Sequence, residues 1–301
     1  MTAPQLTSLA DVQRYARGAL DLADATGVVP VPVDQVIAAA KLHPAQSLYA
    51  LGDDPPPRIR DILAKLKGNV LGAFDLRQRQ IFIDCEMGLQ RQRFVKGHEA
   101  GHAILPWHEG AFMADDKTTL APTAHDLLEQ EANAFAAELI FGAEAFTRRA
   151  DDSAPGLGRP MELATEFEAS TTAALRRYAE RTRHQVALLV FGRYPVTFHG
   201  VTGLRVFPQQ CVQSASFIER FGPITELVPL QMSANHGPAV AAALQAVQNA
   251  WYEPTALTLA DRRRGGLVEF TAEVHYNGYL HYILLYRRSF FSGPRVRIVP
   301  S

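Results

Sequence analysis

The chain of 301 residues is 47% hydrophobic and 20% charged, the balance of a globular protein with a real core and length for two or three domains. A formal net charge of -1 excludes a global pull toward nucleic acid, so any DNA contact would need a local basic patch. Cys85 and Cys211 are far apart and without CxxC spacing, which argues against a disulfide framework or a cysteine-rich metal site and favours a reducing compartment.

The segment Met1-Thr2-Ala3-Pro4 carries no basic region followed by an apolar run, and no stretch reaches the length of a membrane span. A cytoplasmic protein without a membrane partner is expected. Leu9, Val12, Ala16, Leu20 and Ala23 give residues 8–26 a helical period, and Asp34 is placed to cap a short second helix running through Lys41. The run Asp53-Asp54-Pro55-Pro56-Pro57 reads as a rigid turn. Residues 70–75 and 80–84 read as strands joined by Leu76-Arg77-Gln78-Arg79. A helix over 90–105 is stopped by Pro106, residues 107–123 form a loop, and a long helix covers 124–146. Two Gly, two Pro and two Asp mark residues 151–160 as a linker. A helix pair follows at 161–167 and 171–181. Strands are expected at 186–191, 255–259, 266–275 and 280–287, with an alanine-rich helix at 238–251 and a hairpin turn at Asn277-Gly278. The fold class is α+β, in three parts: a domain at 1–150, the helix pair at 155–185 and a C-terminal α/β domain at 186–301.

The helix at 90–105 contains His98-Glu99-Ala100-Gly101-His102. Four residues apart on a helix, the two histidines share a face and can bind one metal ion. Glu99 is badly placed to be a ligand, but it can reach a water at the ion's open position and act as general base toward a peptide carbonyl. A third ligand is still needed. The helix at 124–146 offers Glu129, Glu131 and Glu138. Glu129 shares a face with Asn133, which suits a ligand carboxylate followed by an amide that orients a histidine. Glu131 points elsewhere and is the alternative ligand. The bland reading of these glutamates is a solvated helix face.

Two runs, Arg91 to His102 and Glu129-Gln130-Glu131-Ala132-Asn133-Ala134-Phe135-Ala136-Ala137-Glu138-Leu139-Ile140, resemble the ImmA/IrrE family of metallopeptidases. The likeness spans roughly residues 10–190. It implies a zincin-like peptidase domain, with zinc (or another divalent ion in the cell) held by His98, His102 and a glutamate, and Glu99 as base. It also implies an endopeptidase that cleaves helix-turn-helix repressor proteins and so releases stress-response or mobile-element genes. Phe141-Gly142 stands where the family usually has Met-Pro, and Gly97 where a larger residue is common; neither change removes a ligand. Family members with stress-response roles carry a GAF-like domain where this chain has its C-terminal part, which is similar in that coarse sense.

The helix pair has the apolar spacing of a helix-turn-helix, with Glu168 where a turn glycine is often found. Arg176, Arg177, Arg181 and Arg183 would line its second helix and exit. Glu162, Glu166 and Glu168 would repel phosphates, so a structural or protein-docking role outranks DNA. The rival to the peptidase reading is a DNA-binding or ligand-sensing regulator with a vestigial metal site. His108 and His125 flank the expected cleft loop, where they either help bind a substrate carbonyl or have no function. The aromatic strands around His275 and His281 are more simply core than ligand pocket, and Arg262-Arg263-Arg264 a solvated turn.

Overall fold

A computed structural model describes residues 9–47, 72–75, 78–108, 122–198, 201–224, 250–260 and 265–287. The architecture is α+β. It divides into two compact units, Met1–Arg148 with Glu162–Ala173, and Arg149–Met161 with Ala174–Ser301.

In the first unit, helices α1 (Leu9–Leu22) and α2 (Val33–Ala39) precede a small sheet of β1 (His43–Ser47), β2 (Gly72–Asp75) and β3 (Gln80–Ile83), in the order β1-β3-β2. The central strand β3 is buried throughout, as Gln80-Ile81-Phe82-Ile83 leads one to expect, and pairs antiparallel with β2 in the expected hairpin. Strand β1, parallel to β3, carries no alternating pattern and includes Pro44, so it was not legible. Asp34 does not cap α2: the residue before the helix is Pro32, and no side chain bonds the end. Its carboxylate instead meets Lys96 Nζ at 2.7 Å, which ties α2 to the next helix.

That helix, α3 (Leu89–Ile104), ends where Leu105 turns extended ahead of Pro106. The long helix α4 (Pro122–Ile140) buries Ala132, Phe135, Ala136 and Leu139 completely. It stops at residue 140, short of 146. Gly142 adopts φ 58, the Gly142 N–H reaches the Leu139 carbonyl at 3.0 Å, and the Ala143 N–H reaches that of Glu138 at 2.8 Å. This is a glycine-terminated helix end, so the Phe-Gly pair acts as a stop. Helix α5 (Ala145–Asp151) follows, and Phe141, Phe146 and Phe167 pack edge-on around it.

Helices α6 (Gly158–Glu166) and α7 (Thr171–Arg181) contain the boundary between the units. In their turn Glu168 takes φ 50, as a glycine would, while its carboxylate meets Arg93 at 3.1 Å. Arg177 is buried, Arg176 pairs with Glu180, and Arg183 bonds the Asp151 carbonyl. The expected linker is not free chain. Asp151 lies in α5 and Gly158 in α6, and the Asp151 carboxylate accepts from the Thr182 hydroxyl and the Arg183 N–H. Leu157 between them is fully buried.

The second unit is built on an antiparallel sheet of β4 (Val186–Phe198), β5 (Val201–Gln213), β6 (Ala250–Ala260), β7 (Leu267–Tyr276) and β8 (Leu280–Tyr286), in the order β5-β4-β8-β7-β6. Leu189, Phe191, Leu257, Phe270, Ile283 and Leu285 form a core with Phe217 and Phe221 of α8 (Ala215–Phe221), which Ser214 caps by accepting from the Phe217 N–H. The expected strands are present: β4 and β6 run longer than expected, β7 is shifted by one residue and β8 ends one residue earlier, while β5 alternates too poorly to be read from the sequence. Its Pro208 is tolerated because β5 is an edge strand. Asn277-Gly278 makes the expected turn, with Asn277 Oδ1 accepting from the N–H groups of Tyr279 and Leu280. Of the helix expected over 238–251, residues 238–249 lie outside the described residues and Ala250 and Trp251 belong to β6. The turns expected at 53–57 and 262–264 and most of the 107–123 loop also lie outside them.

Glu273 on β7 joins two parts of this unit. It accepts from the Tyr286 hydroxyl at 2.6 Å across the strand pair and from the Leu157 N–H at 2.7 Å. Glu273→Ala should destabilise the unit by about 1.5–3 kcal/mol, the usual range for hydrogen bonds to a charged group, with Glu273→Gln milder. Urea unfolding followed by circular dichroism measures both.

Candidate metal centre

The histidine helix α3 and the glutamate helix α4 pack against each other through small residues. A Cβ at Gly101 would lie 3.2 Å from Phe135 Cβ and 3.3 Å from Ala132 Cα; one at Gly97 would lie 3.4 Å from Ala136 Cα. Gly97 and Gly101 therefore bring the backbones together. His98 and His102, next to them in sequence, are carried to the same seam.

There they meet Glu129. His98 Nε2 is 3.2 Å from Glu129 Oε2, His102 Nε2 is 3.4 Å from Glu129 Oε1, and the two Nε2 atoms are 3.1 Å apart. A tetrahedral ion with bonds of about 2.0–2.1 Å has ligand–ligand edges of about 3.3–3.4 Å. The donor set, two imidazoles and a carboxylate at that spacing, therefore suits zinc, and one vertex is left for a non-protein ligand. Among the described residues these three are grouped closely enough to hold an ion.

The remaining nitrogens are also held. His98 Nδ1 lies 3.1 Å from Asn133 Oδ1, one turn along α4 from Glu129. His102 Nδ1 lies 2.9 Å from His108 Nδ1, and His108 Nε2 lies 3.0 Å from Glu131 Oε2, which also accepts from Trp107 Nε1 at 2.6 Å. Glu131, the alternative ligand, is thus placed with His108 and Trp107 and outside the trio. His108 does not line an open loop; it is fully buried. His125 stays exposed, 3.9 Å from Glu129. Sequence reasoning missed the Glu131–His108 pair because Pro106 turns the chain between His102 and His108, and no helical period links positions on either side of such a turn.

Glu99 is buried behind the trio. A Cβ at Gly72 of β2 would come within 2.7 Å of its Oε1 and 2.4 Å of Val95, so only glycine leaves room there. Burial pushes the Glu99 carboxyl above the ordinary carboxylate range, against the pull of His98 and His102. Glu129 is held far below that range by its close polar contacts with His102 and His98. Burial opposes charge on His98, but its bond to Glu129 and the charges of Glu99 and Glu129 outweigh this and raise its pKa above 6.5. Burial lowers His108 to about 4, against the pull of Glu131.

Two outcomes follow. A divalent ion must displace the proton that His98 holds, so affinity is full above the raised pKa and declines about tenfold per unit below it. Chelator competition from about pH 8 to about pH 5 reads that slope. Gly101→Ala forces α3 and α4 apart and should weaken zinc binding more than Gly97→Ala, whose added methyl makes near-ordinary contact. The same competition assay compares them.

Residues 58–178 match the Peptidase M78 family profile, described as the IrrE N-terminal-like domain. Over 181 residues the chain is 30% identical to the radiation response metalloprotease IrrE of Deinococcus deserti, covering 54% of this chain and 61% of that protein. The chain thus spans about three fifths of that relative's length. A solved structure of a Mycobacterium tuberculosis transcriptional regulator aligns with 91% of this chain and 86% of its own at 12% identity, with a TM-score of 0.49. Both site motifs, His98 to His102 and Glu129 to Asn133, fall inside the matched region, so residues 58–178 are similar to the IrrE-type metallopeptidases where the site lies.

Proposed function

We propose that the protein is a zinc-dependent endopeptidase whose ion is held by His98, His102 and Glu129, with Glu99 as general base. The observation that carries this reading is the trio itself, with separations of 3.1–3.4 Å next to a buried carboxylate. The match of residues 58–178 to the Peptidase M78 profile supports it.

A bound ion would supply Lewis acidity, polarising a peptide carbonyl and making water easier to deprotonate. The chain supplies the rest. Glu99 accepts the proton of the attacking water at its carboxylate and delivers it to the departing amine nitrogen. Asn133 fixes the ring of His98 by accepting at Oδ1.

The substrate we infer is a helix-turn-helix repressor, whose cleavage would release stress-response or mobile-element genes. The named relative is a radiation response metalloprotease, which supports a stress role. Selectivity has to come from outside the generic trio, and the second unit, with its five-stranded sheet and α8, is the material for a partner-binding or GAF-like sensing role. The helix pair serves protein packing in this reading. Arg177 is buried and Arg176 and Arg183 are engaged within the chain, which weighs against a DNA-reading face.

Glu99→Gln keeps the shape of the side chain and loses the proton acceptor. Incubated with helix-turn-helix repressors from the same genome, the parent should cleave one of them. Glu99→Gln should retain zinc and lose several orders of magnitude in rate, by roughly the factor of 10²–10⁴ or more that a general base contributes. Cleavage at the parent rate by a zinc-loaded Glu99→Gln protein would rule out this mechanism.

A further inference from the structure

His102 and His98 are fixed by different devices. His98 leans on a neutral amide, Asn133, near the surface. His102 leans on His108, which is itself backed by Glu131, with Trp107 donating to the same carboxylate oxygen. His108 is 0% exposed and Glu131 6% exposed.

The order of protons along this chain follows from chemistry. An ionised carboxylate only accepts, so the proton between Glu131 and His108 sits on His108 Nε2. With its proton on Nε2, His108 turns Nδ1 to His102, and if His102 is to offer Nε2 to an ion its own proton must sit on Nδ1. At 2.9 Å the facing nitrogens need one proton between them, so His102 Nδ1 carries it. His102 Nε2 then faces His98 Nε2, 3.1 Å away, with a lone pair that can bind an ion. Each proton position is set by the acceptor behind it, back to Glu131.

We propose that Glu131 and His108 form a positioning relay that locks His102 in the tautomer whose Nε2 can bind the ion, with Trp107 anchoring Glu131. The inference rests on the metal-site reading above. Neither relay residue touches ion or substrate. A carboxylate behind an imidazole strengthens it as a ligand as well as orienting it, so the relay contributes to affinity. Loss of His108 therefore weakens the centre more than loss of Asn133.

The test uses the full chain labelled with ¹⁵N-histidine and read in two ways. In the metal-free protein, imidazole ¹⁵N shifts should show His102 with its proton on Nδ1. In His108→Phe, His102 should move to the Nε2–H form, and zinc affinity by chelator competition should fall about 10- to 100-fold. His108→Asn, which restores an acceptor facing His102, should return the Nδ1–H signature and part of the affinity. Glu131→Gln should lie between parent and His108→Phe. If His108→Phe does not fold, His108→Asn and Glu131→Ala supply the same contrast, present acceptor against lost carboxylate. Parent-like tautomer and affinity in folded His108→Phe, or in folded Glu131→Ala, overturn the relay. A parent that shows Nδ1–H on His102 but binds no zinc upholds the relay and overturns the metal reading instead.

Discussion

The close approach of α3 and α4 is the constraint on which the site depends. Gly97 and Gly101 face Ala136, Ala132 and Phe135 so tightly that a methyl group at Gly101 would have to displace its neighbours. Packing at this distance fixes the gap between the side chains beside it, which are His98, His102 and Asn133 one residue over and Glu129 about one turn before Ala132. A three-ligand centre drawn from two helices tolerates little error, because ligand edges near 3.3 Å follow from bonds of about 2 Å. The small residues in the seam give that precision without any ligand having to stretch.

Around the seam, charge is arranged to favour a cation. Glu129 stays ionised, Glu99 is buried beside the trio, and Glu131 backs the second histidine through His108. Without an ion, His98 provides the compensating positive character, which is why it holds its proton more firmly than a free imidazole. An ion exchanges one form of compensation for another. The polar groups of the centre therefore support folding and binding together.

Much of this was legible from local pattern. The His98/His102 pair and the Glu129/Asn133 pair each lie four apart on a helix, so each face could be read from the sequence and the resemblance could attach to both. The hairpin at 72–83 and the Asn277-Gly278 turn announced themselves by alternation and turn chemistry. What could not be read depended on tertiary partners. Asp34 looks like a cap until Lys96 claims it. Residues 151–160 look like a linker until Thr182, Arg183 and Glu273 are seen to hold them. Glu131 looks like a spare ligand until the turn at Pro106 brings His108 to it. Helix α4 reads as running on to 146 because Phe146 keeps a helical spacing, and only the left-handed Gly142 reveals the stop.

The central claim is that two helices deliver two imidazoles and one carboxylate to a single ion. X-ray absorption at the zinc edge on the zinc-loaded full chain tests it most directly. One ion per chain is expected in a shell of nitrogen and oxygen at about 2.0–2.1 Å, with two imidazole scattering patterns and no sulfur, and a shell that loses an oxygen in Glu129→Ala. A sulfur contribution at about 2.3 Å, or a shell indifferent to Glu129→Ala, would contradict it.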